Sequence, residues 1–428
     1  MKPQCAPMVF LSLILGCLLG LPTPLKAAAA TLYHNPIAYI GADGNVYVTS
    51  LDQPLRTGIL SSKNARFGNI RWSPDASRFV VAEFTPAQII DTGGSEITPK
   101  LYFVESGKTP VVLSHINIGR PALSAWSLDG SRLAYISGEN SNIKVMTSSI
   151  AEDDSAEIGT ISPCIGEGPY PPPEGYMALD EEGSISALYQ PMSIDWTPFG
   201  ILFAAQCGTP TMSMVSPDGV PLWRWDEIGL WNLPVVSHDG KHALALGRIS
   251  ITDDNYQLYL IDLANGKRTL LDAVKDPFPL GWASDDQTIF YATISGQASV
   301  EGDVTRTKVG EKLFYHWPVN GYRATYTISQ IAYDGSGKPH QLFQREGYGI
   351  GVFSVVPDNS AIIFSFITSS AKRIEAINAG ATLAQAQAIP GAQIEVIAVT
   401  LNDDVERPRR IAFGGQPAIG NGSFEVGG

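Results

Sequence analysis

The sequence predicts an all-β fold: a single β-propeller, most simply of seven four-stranded antiparallel blades, with the ring closed by both chain termini. Three observations carry this. A phrase made of a large apolar residue, two small or polar residues, an acid and often a glycine recurs along the 428 residues. An apolar strand follows each copy. The 42 glycines and 30 prolines suit the many tight turns that such a chain needs. One supersecondary unit repeated every 40 residues or more is the mark of a propeller or solenoid.

The phrase is clearest as Trp72-Ser73-Pro74-Asp75, Trp126-Ser127-Leu128-Asp129-Gly130 and Trp196-Thr197-Pro198-Phe199-Gly200. It fades to Val236-Ser237-His238-Asp239-Gly240, Trp282-Ala283-Ser284-Asp285-Asp286 and Val355-Val356-Pro357-Asp358-Asn359. Counting from these anchors gives six full repeats, near 68–115, 122–161, 192–228, 231–274, 279–345 and 350–413. A seventh is split. Residues 37–60 supply its middle strands, and Gly420–Val426 is the expected donor of the missing one. Closure by both termini leaves no exposed sheet edge between first and last repeat. Within a repeat, Gln257–Leu263 followed by Asn265-Gly266 reads as a strand and hairpin turn, as do Asp239-Gly240, Asp218-Gly219 and Asp334-Gly335. Helical periodicity is confined to 372–388. The tryptophans of the phrase are expected to fill the gaps between blades, and its acid or glycine to shape the turn.

Residues 1–30 read as a secretory signal peptide: Lys2, an apolar run from Met8 to Leu21, and A-x-A cleavage choices in Ala27–Ala30. A membrane anchor is the bland alternative, but the run is shorter than the roughly 20 residues a spanning helix needs. Ile14-Leu15-Gly16-Cys17 loosely resembles a lipobox, so lipidation at Cys17 is a lesser reading. Cleavage would remove Lys2 and Lys26 and no acid, taking the net charge from −13 to −15. Such a chain is repelled by nucleic acid and by anionic lipid. The expected place is therefore periplasmic or extracellular. Two of the four cysteines would remain, Cys164 and Cys207; one disulfide or two separate thiols both fit.

The propeller domain then spans 31–428, with insertions near 152–190, 296–322 and 367–392. The first holds Glu152-Asp153-Asp154, Tyr170-Pro171-Pro172-Pro173 and Asp180-Glu181-Glu182; the second is dense in aromatics, with Phe314, Tyr315, His316, Trp317 and Tyr322. Long loops on a rigid frame are where binding usually resides. Solvated decoration explains the first and third equally well.

The phrases Ile70-Arg71-Trp72-Ser73-Pro74-Asp75 and Ser124 to Tyr135, together with Gln257–Leu263, resemble the repeats of the TolB-type propeller family. Such repeats also form the propeller domains of prolyl-oligopeptidase-like and dipeptidyl-peptidase-like enzymes. The resemblance covers most of 37–415 and implies the fold rather than an activity. It departs from TolB in lacking room for an N-terminal domain before the first blade strand, and from the peptidases in having no Gly-x-Ser-x-Gly pentapeptide.

No catalytic, cofactor-binding or metal-binding residue is nominated. The six histidines (His34, His115, His238, His242, His316 and His340) fall in different units, and no motif supports a triad. Asp253-Asp254-Asn255 resembles part of a calcium loop without its downstream glutamate. The expected function is a non-catalytic scaffold presenting loops and a channel mouth to a protein, peptide or glycan of the cell envelope. A lyase-like or quinoprotein-like enzyme, with one site residue per blade around the channel, is the alternative.

Overall fold

The computed structural model describes residues 31–53, 55–61, 66–84, 99–119, 122–138, 143–161, 178–179, 185–186, 190–207, 209–225, 234–247, 257–271, 277–298, 305–309, 312–316, 323–347, 349–369, 393–401 and 408–426. Every regular element among them is a strand. Seven four-stranded antiparallel blades form a propeller, and each strand order runs outward from the channel. Blade 1 is Arg66–Trp72, Arg78–Phe84, Lys100–Glu105 and Val111–Val112. Blade 2 is Ser124–Trp126, Arg132–Ser137, Ile143–Ser149 and Ala156–Ile161. Blades 3, 4 and 5 begin on the inner strands Gln190–Thr197, Val235–Val236 and Phe278–Trp282, and blade 6 on Gly349–Val355.

Both faces of each blade are buried, and the second strands show how the sequence encodes this. In Arg132–Ser137, Leu133 and Tyr135 join the apolar cluster shared with blade 1, whereas Ala134 and Ile136 join the one shared with blade 3. Phe79 and Val81 face blade 7, and Val80 and Ala82 face blade 2. A strand buried on both sides carries an unbroken apolar run in place of alternation. Among the described residues seven such clusters occupy the seven gaps between blades, the last joining blade 7 to blade 1.

The tryptophans of the phrase lie in these gaps, Trp126 and Trp282 buried and Trp72 and Trp196 partly so. Three of them also share a hydrogen bond. The indole N–H of Trp72, Trp126 and Trp282 donates to the carbonyl of Ala418, Arg71 and Val235, respectively, each on the preceding blade's inner strand. The acceptor is the residue just before the tryptophan-equivalent position, so one bond repeats around the ring.

The rest of the phrase builds the turn. Ser73 donates to Asp75 (2.6 Å), Ser127 to Asp129 (2.6 Å) and Ser237 to Asp239 (2.8 Å), and each acid accepts the backbone N–H two residues on. These donors, the Ser127 hydroxyl foremost, hold the Asp129 carboxyl down at about 2. Gly130 and Gly240 follow at φ 67°, a left-handed conformation that glycine adopts without strain. At the same place in blade 5 stands Asp286, at φ 55°. Its side chain explains the exception: it accepts the backbone N–H groups of His238 and Asp239 in blade 4's turn, both at 2.8 Å. Asn359 does the same for Ser284 (2.7 Å). Asp286→Ala is therefore expected to cost about 2–3 kcal/mol, having lost charge-assisted bonds while keeping the strained backbone. Asp286→Gly should cost less, by urea denaturation of each variant.

Ring closure differs in detail from the sequence expectation. Both termini do close the ring, but the inner strand of blade 7 is the second half of Arg409–Ile419, not Gly420–Val426. Residues 409–413 pair with Gln393–Thr400 as the outer strand of blade 6, and 414–419 then pair with Ile37–Gly41. Val46–Thr49 and Thr57–Leu60 complete blade 7. Ser423–Val426 pairs instead with Thr31–His34. This two-stranded ribbon buries Tyr33 and Phe424 against Trp72 and Phe79. It is tied to blade 1 by Gly107 N–H donating to Glu425 O (2.8 Å) and Glu425 N–H donating to Ser106 Oγ (2.8 Å). The Asn265-Gly266 turn is a four-residue loop, with Gly266 at φ 72°. The expected helix at 372–388 lies outside the described residues.

Candidate functional site

Antiparallel order gives a propeller two unlike faces. The first and second strands, and the third and fourth, join on one of them. The second and third strands join on the other, where each blade also hands on to the next. The turn face carries the Ser-x-Asp turns and the terminal ribbon. The opposite face receives all three insertions. Residues 162–189 link the outer strand of blade 2 to the inner strand of blade 3, whereas 299–322 and 370–392 link second to third strands in blades 5 and 6. Parts of these insertions are described as paired strands, Ala178–Leu179 with Ile185–Ser186 and Thr305–Val309 with Lys312–His316. The remainder lies outside the described residues, as do Cys164 and Asp253–Asn255.

The inner strands line the channel. The residue just before each tryptophan or its equivalent forms a ring with one member per blade. Five of these places hold small or uncharged residues: Ala125, Val235, Gly281, Ser354 and Ala418. The other two hold Arg71, exposed, and Asp195, partly exposed. Although solvent reaches Asp195, protein surrounds it, and burial pushes its carboxyl up to about 6; the Arg71 guanidinium pulls the other way. Backbone bulges interrupt the pairing of first and second strands in blades 1, 3, 5, 6 and 7. Beside two of them Asn69 and Gln416 adopt φ values of 55° and 52°, and Ala122, just before the inner strand of blade 2, one of 63°. The Asn69 N–H donates to Gln416 Oε1 (2.8 Å) and its side-chain amide to Ala122 O (3.4 Å), which stitches blades 7, 1 and 2 together along the channel. Strain held in this way clusters at functional sites. The hydroxyls of Ser124 and Ser193, buried in the inner strands of blades 2 and 3, have no hydrogen-bond partner among the described residues.

The raised Asp195 carries a pH signature. Between about pH 4 and pH 6 the native state keeps a proton that the unfolded chain has released, so stability falls as pH rises through that window. Asp195→Asn is expected to remove this slope and to stabilise the protein at pH 7 by about 1–3 kcal/mol. Urea midpoints measured across the window check it.

The histidines do not gather at the channel. His34 bonds Ser423 (2.9 Å) in the ribbon, His115 bonds the Ser149 carbonyl (3.1 Å), and His238 lies against Asp286 (3.1 Å). His242 packs beside Trp282 and Tyr333 in a gap between blades, and His340 opens the outer strand of blade 5. His316 lies on the Lys312–His316 strand of the second insertion. No group of three or more metal-ligating side chains occurs among the described residues. The sequence reading missed Arg71, Asp195 and Gln416. Aligning the residue before each tryptophan would have found the first two.

Among solved structures, a prolyl endopeptidase superposes with a TM-score of 0.53 at 8% identity, over 92% of this chain and 50% of that one. The chain thus spans half the length of that enzyme. TolB from Acinetobacter baumannii is similar at 16% identity, over 76% of this chain and 68% of its own, with a TM-score of 0.41. An oligogalacturonate lyase in complex with manganese is similar at 11% identity, over 78% and 87%, with a TM-score of 0.47. The likeness is one of fold. No family model and no curated protein matches the chain. The propeller resemblance read from the repeats thus has a structural counterpart in a prolyl endopeptidase. No helix among the described residues is long and apolar enough to cross a membrane.

Proposed function

We propose that the protein is an exported, non-catalytic scaffold, cleaved after its first 30 residues, that presents insertion loops and a channel mouth to a partner in the cell envelope. The supporting observation is the one-sided placement of its insertions. All three leave strand ends on one face, whereas the other face, among the described residues, carries the Ser-x-Asp turns and the terminal ribbon. A rigid frame with its variable segments on one side is the usual geometry of a binding propeller. A folded protein, a peptide or a glycan fits this arrangement. The channel adds charged groups suited to a partner's extended segment, Arg71 and Asp195. The test is affinity capture from an envelope extract with the protein from residue 31 onward. Retention of a stoichiometric partner or a defined glycan supports the scaffold; a column that retains nothing contradicts it. The alternative, an enzyme with a channel site, draws on the raised Asp195 carboxyl.

A further inference from the structure

Where Arg409–Ile419 leaves blade 6 and enters blade 7, the two sheets part and leave a crevice of about 340 Å³. This lies at the lower end of the roughly 300–1,000 Å³ of ligand clefts. Arg56 and Arg410 line it together with Tyr39, Thr49, Ile411 and Phe413. In a chain of net charge −13, two arginines on one concavity call for an explanation.

Their partners do not neutralise them. Glu395 is shared: Arg410 reaches it at 3.3 Å and Arg345 at 3.0 Å, so one carboxylate serves two guanidinium groups. Among the described residues the contacts of Arg56 are with aromatic side chains. Its guanidinium lies 4.8 Å from the Tyr47 ring centre and donates to the Tyr39 phenol. The Thr49 hydroxyl already donates to Gln53 O (3.1 Å) and offers a ligand no proton. Burial raises the Tyr39 phenol, which stays neutral at pH 7 and keeps its own proton to donate. The donors are thus two guanidinium forks and a phenol, and Ile411, Ala412 and Phe413, on the same strand as Arg410, supply the apolar part of the lining. Phe413 is 42% exposed, with the Arg410 guanidinium 4.1 Å from its ring centre.

We infer that this crevice binds a small carboxylate-bearing ligand with an apolar body. Planar guanidinium forks match the two oxygens of a carboxylate, and the stacked Arg410 and Phe413 offer a flat surface to the ligand's hydrocarbon. The site lies between outer parts of blades 6 and 7, away from the channel, and does not depend on the scaffold reading.

The probe is benzoate, with benzamide as its uncharged isostere, titrated calorimetrically into the full chain. Saturable benzoate binding is expected, with benzamide at least tenfold weaker. Arg56→Gln, which breaks no ion pair among the described residues, is expected to weaken benzoate at least tenfold with its thermal midpoint unchanged. Arg410→Gln should do the same, with Arg345 still holding Glu395. Absence of saturable benzoate binding, equal binding of benzamide, or undiminished binding by Arg56→Gln would overturn the inference.

Discussion

Replacing Trp282 by alanine is expected to cost about 3–5 kcal/mol of unfolding free energy, among the largest effects of any single change in this chain. The indole is 2% exposed and fills the gap between blades 4 and 5, amid Leu244, Leu246, Leu258 and Leu271. Neighbouring blades are rigid sheets, so the void cannot collapse and the lost contacts are not regained. The indole also donates to Val235 O at 2.8 Å, on an inner strand only two residues long. Trp282→Phe separates the two contributions. It keeps most of the apolar volume, leaves the carbonyl without its donor, and should cost about 1–2 kcal/mol. Urea denaturation followed by circular dichroism and fluorescence measures both, provided the two probes give coincident transitions.

The second large effect concerns closure. A chain truncated after Phe413 lacks the inner strand of blade 7, and with it the pairing of 414–419 to Ile37–Gly41. It also loses the Ala418 carbonyl that accepts from Trp72. An open ring exposes two sheet faces and an edge, so no cooperative unfolding transition is expected from this variant. A chain truncated after Ile419 keeps that strand and loses the partner of Thr31–His34 together with its ties to blade 1. It should fold, at a cost of about 3–5 kcal/mol, because the buried Phe424 no longer covers Trp72 and Phe79. Were the ribbon the true closure, the two truncations would be equally severe. Thermal unfolding of both decides the matter.

The architecture was legible because its signal is local and repeated. The pair of tryptophan and acid fixes a turn, and the apolar run after it marks a strand buried on both faces, as Leu133 to Ile136 show. The closing strand was misplaced by a few residues for a physical reason. Residues 409–419 serve two blades in one continuous strand, and a pattern that assigns each strand to one blade cannot show that. The site was harder to read. Arg71 and Asp195 are 124 positions apart in sequence and interact electrostatically only because the inner strands of blades 1 and 3 surround one axis. Arg56 and Arg410 come from opposite ends of the chain and share a crevice only once the ring has closed.

Comparative capture decides whether the insertion-bearing face is the binding face. Three proteins would be passed through the same envelope extract: the unaltered chain from residue 31, a variant with 299–322 replaced by a short turn, and a turn-face variant, Leu128→Ser with Phe199→Ser. Leu128 and Phe199 are 54% and 36% exposed on the turns, so their replacement alters that face without emptying a core. The prediction is that the partner held by the unaltered chain is lost with the shortened loop and kept by the turn-face variant. Retention by the loop variant together with loss by the turn-face variant would contradict it and move the binding surface to the side of the terminal ribbon.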